Sequence, residues 1–247
     1  MIVRTEEERQ GLMKIGKILA EIRDTLVKET KPGVTTGELD ELAKELFEKH
    51  GAISAPKELF DFPGYSCISV NEEVAHGIPG KRVIEDGDLV NIDVSGSKDG
   101  YFADTGISFV VGDSNKFLEK LCKATKEVFD EGLKKFKAGG KLSNVGRAVH
   151  NSARKRGYTV ITNLTGHGVG HSLRDKPDHV HNYYEPRDRT LLKDGMVIAY
   201  EPFVSTNAEE AYQLDDGWTL ATNDGSFVAQ IEHTIIVTKG QPIIVTE

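Results

Sequence analysis

The segment Val90-Asn91-Ile92-Asp93-Val94, followed by Gly96-Ser97-Lys98-Asp99-Gly100 and then Tyr101-Phe102-Ala103-Asp104-Thr105-Gly106, reads as two strands joined by a tight turn. Apolar and β-branched residues flank a cluster of Gly, Ser, Lys and Asp. With the turn centred between Lys98 and Asp99, Asp93 and Asp104 stand opposite each other, their Cβ atoms about 5 Å apart. Two like charges so placed destabilise a bare sheet, whereas a divalent cation between them reverses the local electrostatics. A register slipped by one residue instead turns both carboxylates to solvent. The hairpin alone leaves both readings open.

Outward from this hairpin, further strands are expected at Cys67–Val70, Leu89–Val94, Phe102–Val111, Val197–Val204 and Val228–Val237, each rich in Val, Ile or aromatics and bounded by turn residues. Helical spacing of Leu12, Ile15, Ile18, Leu19, Ile22 and Leu26 marks an amphipathic helix from Glu7 to about Lys28, stopped by Lys31-Pro32-Gly33. Thr35 or Thr36 caps a second helix that buries Leu39, Leu42, Ala43, Leu46 and Phe47 and ends at His50-Gly51. The segment from Leu118 to Gly157 repeats this layout, with Ser143 as the expected cap. Lys31, Gly33 and Gly51 align at one offset with Lys137, Gly139 and Gly157. The pattern predicts an internal duplication, helices then strands, twice, in an α+β fold with a mostly antiparallel sheet. A seam between such halves is a favoured place for a site.

Two more acids sit among apolar neighbours in predicted strands: Glu201 in Val197–Val204 and Glu232 in Val228–Val237. Buried carboxylates are seldom left unpaired. Thr165-Gly166-His167-Gly168-Val169-Gly170 adds an imidazole on what reads as a glycine-rich loop. Four carboxylates and one histidine, namely Asp93, Asp104, Glu201, Glu232 and His167, form a candidate ligand set for two divalent ions. Oxygen-rich donors with one nitrogen and no thiolate point to manganese, iron, cobalt or zinc in a reactive rather than a structural site.

Composition narrows the alternatives. The chain has 247 residues with 38% apolar content, 39 acidic against 31 basic residues, and no concentrated basic stripe. Direct nucleic-acid binding is therefore disfavoured. Cys67 and Cys122 match no zinc or redox spacing, so two unpaired thiols in the cytoplasm are expected. No signal-peptide core and no membrane-length apolar stretch is visible.

Six motifs together resemble type I methionine aminopeptidases of the bacterial type. They are Val74-Ala75-His76-Gly77-Ile78-Pro79, Asn91-Ile92-Asp93, Ala103-Asp104-Thr105-Gly106, Thr165-Gly166-His167-Gly168-Val169-Gly170, Glu201-Pro202-Phe203 and Gln230-Ile231-Glu232-His233-Thr234. They occur in the family's order over nearly the whole chain. The resemblance implies the pita-bread fold, a single catalytic domain over residues 1–247 in two pseudo-symmetric halves (about 1–115 and 116–247), and monomeric action. It implies that Asp93, Asp104, His167, Glu201 and Glu232 hold two adjacent metal ions, bridged by Asp104 and Glu232. It further implies hydrolysis that removes the initiator methionine from nascent chains, with Glu201 relaying a proton and His76 contacting the peptide nitrogen or the tetrahedral intermediate. Leu59, Phe62, Cys67, Leu173 and Trp218 match the family's methionine cup, although each also suits an ordinary core. Transient ribosome contact belongs to the same family picture, without a basic patch here to support it.

One position departs from that pattern. The family's second active-site histidine lies seven residues after the one matching His167, and Arg174 stands there, in Leu173-Arg174-Asp175-Lys176-Pro177. A guanidinium only donates and stays charged, where an imidazole both donates and accepts. Arg174 is expected either to bond the substrate carbonyl or to turn outward onto Asp175. His171, His179 and His181 lie near but off the matching spacing. Proline-specific aminopeptidases share the fold and ligands but carry an additional amino-terminal domain, whereas this chain starts almost at the first helix. A non-catalytic module on the same scaffold and a dinucleotide-binding protein are the remaining alternatives. The first is opposed by the intact ligands, the second by the absence of a βαβ unit.

Overall fold

The computed structural model describes residues 1–247. Five helices run as α1 (Glu6–Glu29), α2 (Thr36–His50), α3 (Ala55–Phe60), α4 (Lys116–Leu133) and α5 (Ser143–Lys155). Strands of the amino-terminal part are β1 (Ile53–Ser54), β2 (Cys67–Val70), β3 (Glu73–Ala75), β4 (Leu89–Lys98) and β5 (Tyr101–Val110). Then follow β6 (Thr159–Val160), β7 (Gly166–Gly168), β8 (Asp175–Val180), β9 (Val197–Tyr200) and β10 (Phe203–Ser205). The last are β11 (Tyr212–Gln213), β12 (Leu220–Ala221), β13 (Val228–Ile236) and β14 (Ile243–Ile244). Eleven strands make one sheet whose main path is β1-β4-β5-β13-β9-β7-β8, all paired antiparallel, and β11-β12-β3 form a small second sheet.

Local chemistry explains the helix limits. Thr5 Oγ1 accepts from the Glu8 amide while the Glu8 carboxylate accepts from the Thr5 amide, and Thr35 and Glu38 repeat this reciprocal cap at α2. Gly51 closes α2 in the left-handed region at φ 56°, where a glycine carries no Cβ penalty. Ser143 does not cap α5. It is the first helical residue, buried, and the preceding Leu142 gives no side-chain cap. Leu12, Ile15, Leu19, Ile22 and Leu26 are all buried. Helices α1 and α2 pack with β2 and β4 in one apolar core, and α4 and α5 pack with β9 and β13 in another.

Arg23, on the buried face of α1, donates to Thr105 Oγ1 (2.6 Å) and to the Thr246 carbonyl (3.0 Å), and pairs with Asp24 at 2.8 Å. It ties the first helix to β5 and to the carboxy-terminal segment.

Three expectations need correction. The hairpin pairs Lys98 with Tyr101, Asp93 with Gly106 and Ser95 with Asp104, so the turn centres on Asp99-Gly100 and the two acids are diagonal rather than opposite. Both turn residues have positive φ (53° and 84°), the requirement of the two-residue turn that Asp-Gly favours. The strand expected over Val197–Val204 is split: Glu201 and Pro202 lie between β9 and β10, because Pro202 has no amide to give the ladder. The glycine-rich segment around His167 is a strand, β7, and not a loop. A Cβ at Gly166 would stand 2.4 Å from the Ala199 carbonyl oxygen, and one at Gly168 would stand 2.2 Å from that of Lys176. Glycine lets the flanking backbones close in.

Candidate metal centre

Register alone places the candidate ligands on one face of the sheet. Asp93 and Ser95 of β4 pair with Gly106 and Asp104 of β5, and Gly106 pairs in turn with Glu232 of β13. Across the break between β9 and β10, Tyr200 pairs with His233 and Phe203 with Gln230, one continuous register that sets Glu201 across from Glu232. His167 pairs with Ala199, which pairs with Thr234. Residues two apart along a strand share a face. Asp93, Asp104, Glu201, Glu232 and His167 therefore converge, and Cys67, paired with Asp93, joins them.

Neighbouring side chains fix this geometry. Thr234 Oγ1 accepts from the Asp104 amide (2.8 Å) and donates to the Asp104 carbonyl (2.9 Å), locking β5 to β13. Gln230 donates to Glu232 at 3.1 Å and to Glu201 at 3.4 Å, and its own amide oxygen accepts from Asn91 Nδ2 at 2.8 Å. Asn91 and Gln230 thus hold two carboxylates in place, a role that residue type gave no reason to assign. The His167 Nδ1–H is placed to donate to the Gly168 carbonyl at 2.9 Å, which leaves Nε2 with its lone pair toward the carboxylates.

The electrostatics suit a cation. Asp104, His167 and Glu232 are buried, and donor atoms from these three lie within 4.8 Å of one another. Desolvation raises Asp93 to about 6 and Glu201 to about 8, the latter helped by the charge of Asp93. It holds Asp104 and Glu232 well above the ordinary carboxylate range, reinforced by repulsion among the acids. Burial, aided by the charge of Arg174, lowers His167 to about 4, so the imidazole is neutral and free to ligate. His167 Nε2 stands 3.7 Å from Asp104 Oδ2 and 3.7 Å from Glu201 Oε1, too far for hydrogen bonds. That spacing is close to what donors adopt around a shared cation with bonds of about 2.1 Å.

Two observations test the fit. Asp104 Oδ1 is buried with no hydrogen-bond partner, a costly state unless something else satisfies it. Gly106 sits between Asp93 and Glu232, where a Cβ would meet Gln230 Oε1 at 2.5 Å and Glu232 Oε2 at 3.4 Å. The glycine keeps a cradle open among the carboxylates. Hard oxygen donors plus one imidazole suit divalent ions of the manganese-to-zinc series.

Beside the ligands lies a cavity of about 220 Å³, lined on its apolar side by Pro56, Phe60, Phe62, Cys67, Leu173 and Trp218. Phe62 meets Trp218 edge to face at 5.2 Å. Leu59, expected in this cup, is not among the residues that line the cavity, whereas its neighbour Phe60, equally exposed at 47%, is. Pro56, Phe60 and Ser95 are wall residues that the sequence left unassigned. His76 and Arg174 also line the cavity. His76 follows β3 with φ 55°, an uncommon conformation for a residue with a Cβ. Gly77 beside it approaches the Ile68 carbonyl so closely that a Cβ would stand 2.3 Å away. Arg174 does not turn onto Asp175, which pairs with the Met1 ammonium at 2.9 Å.

A sheet that gathers four carboxylates and one imidazole on one face, backed by two helix pairs, defines a metalloprotein of the pita-bread class. Comparison with known proteins gives the same answer from the whole sequence. Residues 10–239 match the model of metallopeptidase family M24. A methionine aminopeptidase of Staphylococcus epidermidis is 60% identical, over 100% of this chain and 99% of that protein. Methionine aminopeptidase 2 of Bacillus subtilis is 50% identical over the full length of both. The crystal structure of methionine aminopeptidase from Thermotoga maritima superposes with a TM-score of 0.95 at 34% identity, covering 100% of each chain. The chain belongs to metallopeptidase family M24.

Proposed function

We infer that this chain is a metal-dependent aminopeptidase that removes the amino-terminal methionine from nascent proteins and peptides. The observation that carries the reading is the convergence of Asp93, Asp104, His167, Glu201 and Glu232 beside an apolar cavity sized for one long side chain. A flexible thioether fits an aromatic and apolar cup well. The ligand set is complete, which disfavours a non-catalytic binding protein on this scaffold.

Asp93, Asp104, His167, Glu201 and Glu232 would hold two divalent ions, and Asp104 and Glu232 are the most deeply buried of the four carboxylates. When bound, such ions polarise the scissile carbonyl and acidify water. Glu201, on the cavity wall beside the other carboxylates, would carry a proton toward the leaving amine. His76, largely desolvated and kept neutral by burial and by Arg174, donates to or accepts from the peptide at the cavity rim. Gln230 and Asn91 keep the carboxylates oriented while charge shifts around them. Phe62, Cys67, Leu173 and Trp218 seat the methionine, and Phe60 and Pro56 complete the cup.

We place the enzyme in the cytoplasm as a monomeric single domain; its two unpaired cysteines agree with a reducing compartment. The test is methionine release from a Met-Ala-Ser peptide by metal-stripped protein supplied in turn with manganese, iron, cobalt or zinc. Release is expected only with added metal and is expected to vanish in Asp104→Ala. Metal-independent release, or none with any ion, would refute the reading.

A further inference from the structure

A second cavity, of about 350 Å³, opens beside the first and shares His76, Asp93, Arg174 and Glu201 with it. Its far wall carries Thr165, His179 and His181. The two imidazoles stack with centroids 5.6 Å apart, His179 Nδ1 lies 3.1 Å from Thr165 Oγ1, and His181 Nδ1 is buried without a partner. Arg174 is the permanent cation at the junction. Its carbonyl accepts from Ser172 Oγ, but its guanidinium has neither a hydrogen bond nor a carboxylate partner, and the adjacent Asp175 is taken by the Met1 ammonium. The only acids on the walls, Asp93 and Glu201, are metal ligands on the near side.

Because the two cavities share His76, Asp93, Arg174 and Glu201, the second offers the residues that follow a methionine in the first a path past Arg174. We propose that this second cavity is a subsite for a carboxylate carried downstream of the terminal methionine, held by Arg174 with His179 and His181. The proposal rests on the aminopeptidase reading for the direction of the chain. A planar guanidinium offers two parallel donors to a carboxylate, a match that a single imidazole cannot make. An acidic side chain at the third position or the carboxy terminus of a tripeptide supplies the same group.

The test compares kcat/KM for Met-Ala-Asp-amide, Met-Ala-Asn-amide and Met-Ala-Asn free acid with the manganese-supplied protein. A gain of roughly fivefold over the neutral Met-Ala-Asn-amide is expected for a carboxylate-bearing peptide, the scale of a solvent-accessible ion pair. A gain with Met-Ala-Asp-amide identifies the side chain as the source, and a gain with the free acid identifies the terminus. Arg174→Gln is expected to erase the gain, Arg174→Lys to keep part of it, and His181→Gln to reduce it. Calorimetric binding of Ala-Asp-amide against Ala-Asn-amide reads the same preference without turnover. Equal values for all three peptides with equal affinities, or a preference that survives Arg174→Gln, overturns the proposal. Failure to release methionine from any peptide counts against the aminopeptidase reading, and the calorimetry then still decides the subsite.

Discussion

Asp104 shows how function and stability oppose each other at single residues of this site. Its carboxylate is buried, repelled by Asp93 and Glu201, and has one oxygen without a partner. Asp104→Asn removes a candidate metal ligand and is expected to cut methionine release by at least about a hundredfold. The same change is expected to raise the melting temperature of the metal-free protein, since it removes an acid whose ionisation burial and its neighbours oppose. The pH dependence has a definite sign. Carboxylates with raised folded pKa values bind more protons folded than unfolded, so stability falls as pH rises. Asp93 and Glu201 set the window, from their ordinary 3.8 and 4.5 up to about 6 and about 8. Thermal melts of metal-free protein should therefore drop by several degrees between pH 5 and 8, and saturating manganese should abolish most of that drop. The five candidate ligands were legible because buried acids and a lone imidazole are chemically conspicuous. Gln230 and Asn91 were not, since an amide declares its role only once its neighbours are known.

At the scale of elements, the decisive facts were registers, and these were only partly readable. Asp99-Gly100 is the dipeptide that the two-residue hairpin turn demands, yet centring the turn one residue earlier seemed equally natural beside Gly96, Ser97 and Lys98. That reading sets Asp104 opposite Asp93, where the structure pairs it with Ser95, yet its face is unchanged because both pairings keep the same parity. That is why the candidate ligand set survived a wrong register. Gly100→Val, at φ 84°, is expected to cost about 1–2 kcal/mol in chemical denaturation with activity retained. Gly168→Ala should do more damage, about 1–3 kcal/mol, and also weaken metal binding, because the new methyl strikes the Lys176 carbonyl and pushes β7 and His167 away from β8. The β7 strand was unreadable as such: glycines normally argue against strands, and here they mark backbone crowding on both sides.

Over the whole molecule, the duplicated helix pairs were legible in the repeated glycines, but the way the two parts join was not. They meet along β5 and β13, and Arg23 reaches from α1 to the carboxy-terminal segment. Residues 1–115 and 116–247 produced separately are expected to stay unfolded, while the intact chain unfolds in one transition. Fluorescence of the single tryptophan, Trp218, and far-ultraviolet circular dichroism should then give coincident curves. Arg23→Met should lower stability by about 1–3 kcal/mol, leaving the Thr246 carbonyl without its donor. The apolar cup has a consequence of another kind. At about 220 Å³ it has room for one side chain and none for a folded segment. Folded neighbours are protected by shape alone, so a peptide-cleaving protein of this design needs no inhibitory propeptide, no compartment wall and no timed activation to circulate safely among them.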